Sequence, residues 1–285
     1  MDNKKSSRPI VALVYDFDGT LSPSNMQEYG LLQDLGYSDP HDFWNRCDDI
    51  SQANDAGGIV CVLYETVKEA RERGVHLTRE RLQSYGKNIP LFPGVESWFG
   101  RINAYGDQLG LNVQHFINSS GFREIIEGSK IASEFEHIYA CSFLFDQNGE
   151  ACWPGAVVDY TKKTQFIFKI NKGIREVSDK RRVNEFIPRE DRAVPFQHML
   201  YFGDGETDIP SMRTIKAEGG FSIAVYSSEE KQKLAHELLE QKRVNFASAA
   251  DYSEGSQTEE IVKRILDKIH SDIALQDLSK ACAVK

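Results

Sequence analysis

The run Ile10-Val11-Ala12-Leu13-Val14-Tyr15-Asp16-Phe17-Asp18-Gly19-Thr20 passes abruptly from apolar residues to two carboxylates and a glycine. Carboxylates at that spacing suit proton transfer and the binding of a hard cation. Two later stretches end in a similar way. Val113-Gln114-His115-Phe116-Ile117 runs into Asn118-Ser119-Ser120-Gly121, and His198-Met199-Leu200-Tyr201-Phe202 runs into Gly203-Asp204-Gly205-Glu206-Thr207-Asp208. The pair Lys162-Lys163 stands between them. Asp16, Asp18, Ser119, Asp204 and Asp208, with one of the lysines, are therefore candidates for phosphate chemistry. Each also has a plainer reading. Asp18-Gly19 alone reads equally well as a turn, Ser119 as a helix N-cap, and the lysines as solvated first-turn charges. A calcium loop competes for Gly203 to Asp208, but Ile209-Pro210 breaks the EF-hand ligand spacing.

The elements that must position these groups follow from periodicity. The first run is continuously apolar and β-branched, which predicts a strand buried on both faces, as in a parallel sheet. Ligands in open α/β sheets bind at the carboxyl ends of such strands. From about Asn25 to Asn88 no strand-like alternation occurs. Met26 to Leu35, Asp42 to Ile50, Ile59 to Arg73 and Thr78 to Tyr85 instead carry apolar residues at helical spacing. Phe92-Pro93-Gly94 marks the return to the main body, and Val95 to Leu109 reads as an amphipathic helix. A helix opening at Phe122, a strand from His137 to Phe145 and a hairpin turn at Asn148-Gly149 come next. A helix is expected from Thr164 to Ile170, just after the lysine pair. Arg175 to Arg192 is highly charged and reads as solvated. Strands at 221–226 and 245–250, helices at 229–241 and 259–269, and a fraying tail at 274–285 complete the chain. The alternation predicts an α/β fold with a doubly wound, parallel, Rossmann-like sheet. Residues 1–22 and 92–285 would form the core, and 23–91 a small all-helical cap.

Composition narrows the function. The 285 residues are 40% hydrophobic and 27% charged, so one large domain, or one with an insert, can bury a real core. A formal net charge of -9 gives no general attraction to nucleic acid or to anionic membranes. No stretch has the length of a membrane helix, and Met1 to Pro9 lacks the apolar centre of a signal peptide. The five cysteines are odd in number and show no C-x-x-C spacing, which argues against a zinc site and for a reducing, cytoplasmic setting. Cys61 and Cys141 lie in apolar runs and read as buried small hydrophobes.

The order D-x-D-G-T, strand-end serine, lysine before a helix, and G-D-G-x-x-D resembles the haloacid dehalogenase-like (HAD) hydrolase superfamily. The helical insert and S-S-G-F-R-E-I-I resemble its phosphoserine phosphatase-like branch. The resemblance implies hydrolysis of a small-molecule phosphomonoester. In that scheme Asp16 attacks phosphorus and becomes an aspartyl phosphate. Asp18 starts protonated, gives its proton to the leaving alkoxide and later takes one from water. Ser119, aligned through S-S-G-F, and Lys163, the better match to the family's lysine, would hold the phosphoryl group.

Clustered carboxylates would repel a phosphate dianion by roughly 4 kcal/mol per charge pair at about 4 Å and an effective ε near 20. A divalent cation reverses that sign. Hard oxygen groups without cysteine or histidine select Mg²⁺. The implied ligands are the Asp16 carboxylate, the Asp18 carbonyl and Asp204, with Asp208 behind them or orienting the lysine. A phosphotransferase or phosphomutase on the same core is the alternative, since only the acceptor differs. A receiver-type phospho-acceptor domain would be shorter and lack the insert. In phosphoserine phosphatases an acidic residue nine positions after the nucleophile binds the substrate amine. Asn25 stands there instead, with Glu28 near but out of register. L-phosphoserine is therefore expected to be no better than other small phosphomonoesters, with Asn25, Tyr29 and Arg46 as candidates to read the leaving group.

Overall fold

The computed structural model describes residues 8–179 and 181–283, so Met1 to Ser7 and the last two residues of the expected fraying tail lie outside the described residues. Seven strands form one sheet: β1 (Ile10–Tyr15), β2 (Asn112–Phe122), β3 (Phe135–Phe145), β4 (Ala151–Ala156), β5 (Met199–Gly203), β6 (Phe221–Tyr226) and β7 (Phe246–Ala249). Their order is β4-β3-β2-β1-β5-β6-β7, all parallel except the antiparallel edge strand β4. β1 lies in the middle because Val11 to Tyr15 are wholly buried on both faces. Its neighbours β2 and β5 leave in opposite directions across the sheet, so the crevice at a topological switch point opens at the ends of these three strands.

Between β1 and Phe92 lie a 3₁₀ turn (Met26–Glu28) and four helices: α1 (Leu31–Asp34), α2 (Pro40–Asn54), α3 (Gly58–Arg73) and α4 (Arg79–Gly86). The expected helix from Met26 to Leu35 is split, because Gly30 with φ 116° interrupts it. The remaining helices are α5 (Val95–Gln108), α6 (Arg123–Glu127), α7 (Tyr160–Asn171), α8 (Arg181–Asn184), α9 (Ile209–Ala217), α10 (Glu229–Glu240) and α11 (Gln257–Ala283). α5 packs on α11 and α7 on α9, the layering of a doubly wound sheet.

Two further helices differ from the sequence reading by more than a few residues or at a site-bearing end. α7 starts at Tyr160, before the lysine pair, because the Asp159 side chain caps it by accepting from the Lys162 amide at 3.3 Å. α11 continues to Ala283, well past Ile269 and through most of the segment expected to fray. Its last turns expose Leu275 and Leu278, so they are held by helix propensity and not by burial. The charged segment 175–192 is largely exposed, yet it is tied down. Lys169 donates to the carbonyls of Glu176 and Val177, and Lys172 to those of Val183 and Glu185.

A buried chain of hydrogen bonds joins β1, β2 and α5. Trp98 Nε1 donates to Tyr15 Oη at 2.9 Å, and Tyr15 lies 3.0 Å from His115 Nδ1. His115 Nε2 lies 2.9 Å from Asn103 Oδ1, an acceptor, so neutral His115 carries its proton on Nε2. Burial pushes the His115 imidazole down to about 3. The unfolded chain therefore binds a proton near pH 6.5 that the folded one refuses, and stability falls as pH drops from about 6.5 toward 3. The full slope for one group is about 1.4 kcal/mol per pH unit. Urea unfolding at pH 7.5 and 4.5 should show wild type losing at least 1–2 kcal/mol (~) more than His115→Gln over that interval. Equal losses would mean that His115 titrates normally in the folded protein.

Candidate active site

β1 delivers Asp16 one residue beyond its end. The Asp16 amide donates to the Phe202 carbonyl of β5 at 2.9 Å, and Asp16 Oδ1 accepts from the Phe17 amide at 2.7 Å. The other oxygen, Oδ2, accepts from Lys163 Nζ at 2.7 Å. Lys163 lies in the first turn of α7, wholly buried, and also donates to Asp208 Oδ1 at 2.8 Å and Thr207 Oγ1 at 3.2 Å. Lys162 is exposed, so of the two lysines Lys163 is the one that reaches the strand ends. Asn118 Nδ2 donates to the Lys163 carbonyl at 2.9 Å and fixes α7 against the tip of β2.

Oxygens of Asp16, Asp204 and Asp208 lie within 4.8 Å of one another. The donors are all hard carboxylates, which suits a small divalent cation such as Mg²⁺. Asp18 stands outside this trio; its Oδ1 accepts from the Met26 amide at 3.0 Å. Asp16 and Asp208 share the one buried ammonium, and Asp204 stands beside them with the half-exposed Lys231, so buried negative charge is in excess. Burial, then the Asp16 charge, raises Asp208 to about 7. The same causes lift Asp204 above the usual range, and they lift Asp18 well above it. Burial alone would lower Lys163, but the attraction of Asp16 and Asp208 outweighs it and the ammonium is held firmly. Tyr201 Oη donates to Asp208 Oδ1 at 2.7 Å, so that one carboxylate oxygen is engaged by both the phenol and the Lys163 ammonium.

Two glycines make this approach possible. Gly19 has φ 73°, and a Cβ there would run into the Asp204 carboxylate. A Cβ on Gly203 would meet that of Asp208.

Ser119 is buried and its Oγ accepts from the Gly121 amide at 3.0 Å, which leaves its O–H free to donate. The expected helix N-terminus beside it is farther on, because β2 continues to Phe122 and the five-residue α6 begins only at Arg123. The Ser120 hydroxyl, set aside in favour of Ser119 by the S-S-G-F alignment, is buried with no hydrogen-bond partner among the described residues and lines the same cavity. Sequence reasoning missed Lys231, on the first turn of α10, whose Nζ lies 3.0 Å from Asp204 Oδ2. Its sequence signal, S-x-x-K after a strand, is that of an ordinary solvated helix start.

Asp16, Asp18, Ser119, Ser120, Asp204 and Lys231 line the floor of a cavity of about 530 Å³, within the range of small-molecule sites, with Lys163 and Asp208 buried behind them. The segment between β1 and α5 supplies its other side through Asn25, Gln27, Glu28, Trp44, Ile59 and Val62. Tyr29 and Arg46 are not among its walls. Arg46 turns instead to α3, pairing with the buried carboxylates of Glu65 and Glu69.

No family model matches the chain. An uncharacterized protein of Borreliella burgdorferi is 29% identical over 290 residues, covering 91% of this chain and 96% of that protein. Among solved structures, a HAD family hydrolase from Salmonella enterica serovar Typhi superposes with a TM-score of 0.55 at 13% identity, over 83% of this chain and 66% of that one. A substrate-bound phosphoserine phosphatase gives 0.53 at 16% identity, over 89% and 97% of the two chains. Cytosolic 5′-nucleotidase IIIB bound to cytidine gives 0.51 at 13%, over 94% and 88%. At such identities the likeness is one of fold.

Proposed function

We propose that this chain, whose fold is that of the HAD-like hydrolases, is a phosphatase that hydrolyses a small-molecule phosphomonoester through a phosphorylated Asp16. The observation that carries this reading is the pairing of unlike carboxyl groups in one cavity. Asp16 is bonded to the Lys163 ammonium at 2.7 Å, while Asp18, two residues on, is pushed toward its neutral form. Asp16 then attacks phosphorus as the ester P–O bond breaks, and Asp18 gives its proton to the departing alkoxide. Asp18 next takes a proton from water, whose oxygen displaces phosphate from Asp16. The Ser119 hydroxyl and Lys163 hold the phosphoryl oxygens, and Asp208 with Tyr201 keeps the lysine in place.

Mg²⁺ fits the trio of hard oxygens, with Asp16, Asp204 and the Asp18 carbonyl as ligands and Asp208 beside them. When bound it supplies charge neutralisation at the phosphoryl group. Residues 1–22 and 92–285 act as the catalytic core, and 23–91 as a cap that keeps water from the phosphorylated aspartate.

With an aryl phosphate as substrate, EDTA should abolish turnover and added Mg²⁺ restore it. A metal-free preparation with full activity would overturn the scheme.

A further inference from the structure

The cap side of the cavity carries one acidic side chain, Glu28, among walls that otherwise hold no ionisable group. Its carboxylate is built into place. Oε1 accepts from Asn25 Nδ2 at 2.9 Å and from Trp44 Nε1 at 3.0 Å, and no hydrogen bond among the described residues engages Oε2. Asn25 thus serves as a bracket for an acid three residues further on. The nearby cations of the helical segment are committed elsewhere. Arg46 pairs with Glu65 and Glu69, Lys68 with Glu65, Arg73 with Glu69, and Arg81 with Asp34, while His41, the imidazole that feels the Glu28 charge, pairs with Asp39. Lys231, the cation in the cavity wall, lies on Asp204 at the opposite side.

We infer that the leaving group is an ammonium alcohol: the site takes phosphomonoesters of amino alcohols that bear a cationic nitrogen and no carboxylate. This rests on the phosphatase reading above and names the substrate class for it. Glu28 provides the counter-charge, and Trp44 with Ile59 and Val62 provides apolar surface that suits a cation, methylated nitrogen included. A substrate carboxylate, by contrast, meets Glu28 and finds no cation among the described residues that line that side of the cavity. Glu28 ends the 3₁₀ turn whose first residue, Met26, bonds the proposed leaving-group acid Asp18, so the two acids belong to one short segment.

The test compares kcat/KM for phosphoethanolamine, phosphocholine, ethylene glycol phosphate, L-phosphoserine and an aryl phosphate. Wild type should favour the two ammonium esters over the neutral glycol ester by roughly ten- to hundredfold, the worth of a hydrogen bond to a charged group. Phosphoserine should trail phosphoethanolamine by about tenfold or more. In Glu28→Gln the ammonium-to-neutral ratio should fall to within about threefold, and in Trp44→Leu phosphocholine should lose more than phosphoethanolamine. Because the wild-type series decides the matter alone, a variant that fails to fold costs nothing. Equal turnover of charged and neutral esters, or a preference for phosphoserine, overturns this inference and leaves the phosphatase standing. Turnover of no ester, the aryl phosphate included, overturns the phosphatase reading itself.

Discussion

Replacing Asp16 by asparagine should abolish phosphomonoester hydrolysis and, with it, the retention of phosphate on acid-quenched enzyme. An amide at that position offers no nucleophilic oxygen, and no neighbouring carboxylate can take its place. Asp18 is pushed toward the neutral acid, Asp204 faces Lys231, and Asp208 is held by Lys163 and Tyr201. Loss should exceed the roughly 10²–10⁴-fold that general acid–base groups supply. Asp18→Asn should fall within that range, slowing both departure of the alkoxide and attack by water. It should still bind Mg²⁺, since only its backbone carbonyl is a ligand in this scheme. Steady-state kinetics on an aryl phosphate with acid-quench trapping separates the two. Wild-type turnover in Asp16→Asn with loss in Asp18→Asn would reverse the roles, and small equal effects in both would return Asp18-Gly19 to a plain turn.

The strands that carry these groups were legible because each is an apolar run stopping at a polar tip. Burial on both faces of a central strand leaves no other pattern, and Val11 to Tyr15 are buried throughout. Lys163 was legible only through the family motif. Its local pattern suggested a helix beginning after it, because Tyr160, Thr161 and Lys162 are exposed and show no apolar periodicity. What fixes the start of α7 is a single cap, Asp159. Directions of long side chains were not legible. Periodicity places Arg46 on α2, but its orientation is decided by Glu65 and Glu69, acids on α3 that need a partner because they are buried. The bracket of Asn25 on Glu28 escaped notice for a similar reason: a register comparison asks which residue stands nine positions on, not which one it holds.

The largest effect on stability should come from Lys163→Met. That ammonium is wholly buried and is the charge that Asp16 and Asp208 share at 2.7 and 2.8 Å. Methionine fills similar space but strands the carboxylates next to Asp204, and breaking a buried pair in this way costs about 3–5 kcal/mol. For a chain of this size that lowers Tm by on the order of 10 °C. Lys163→Arg should not rescue it, since a planar guanidinium replaces a compact point charge in a closed space. Removing one of the stranded charges should help instead. The double variant Lys163→Met/Asp208→Asn should recover part of the loss, with a coupling of about 1–3 kcal/mol in a double-mutant cycle. Added Mg²⁺ should raise the Tm of Lys163→Met, because a cation on the carboxylate trio stabilises only the folded state. Thermal unfolding of the three variants, with and without Mg²⁺, reads all of this without any substrate. A wild-type Tm in Lys163→Met would mean that the ammonium is not the counter-charge that stabilises these carboxylates, and the place given to Lys163 in the site would fall.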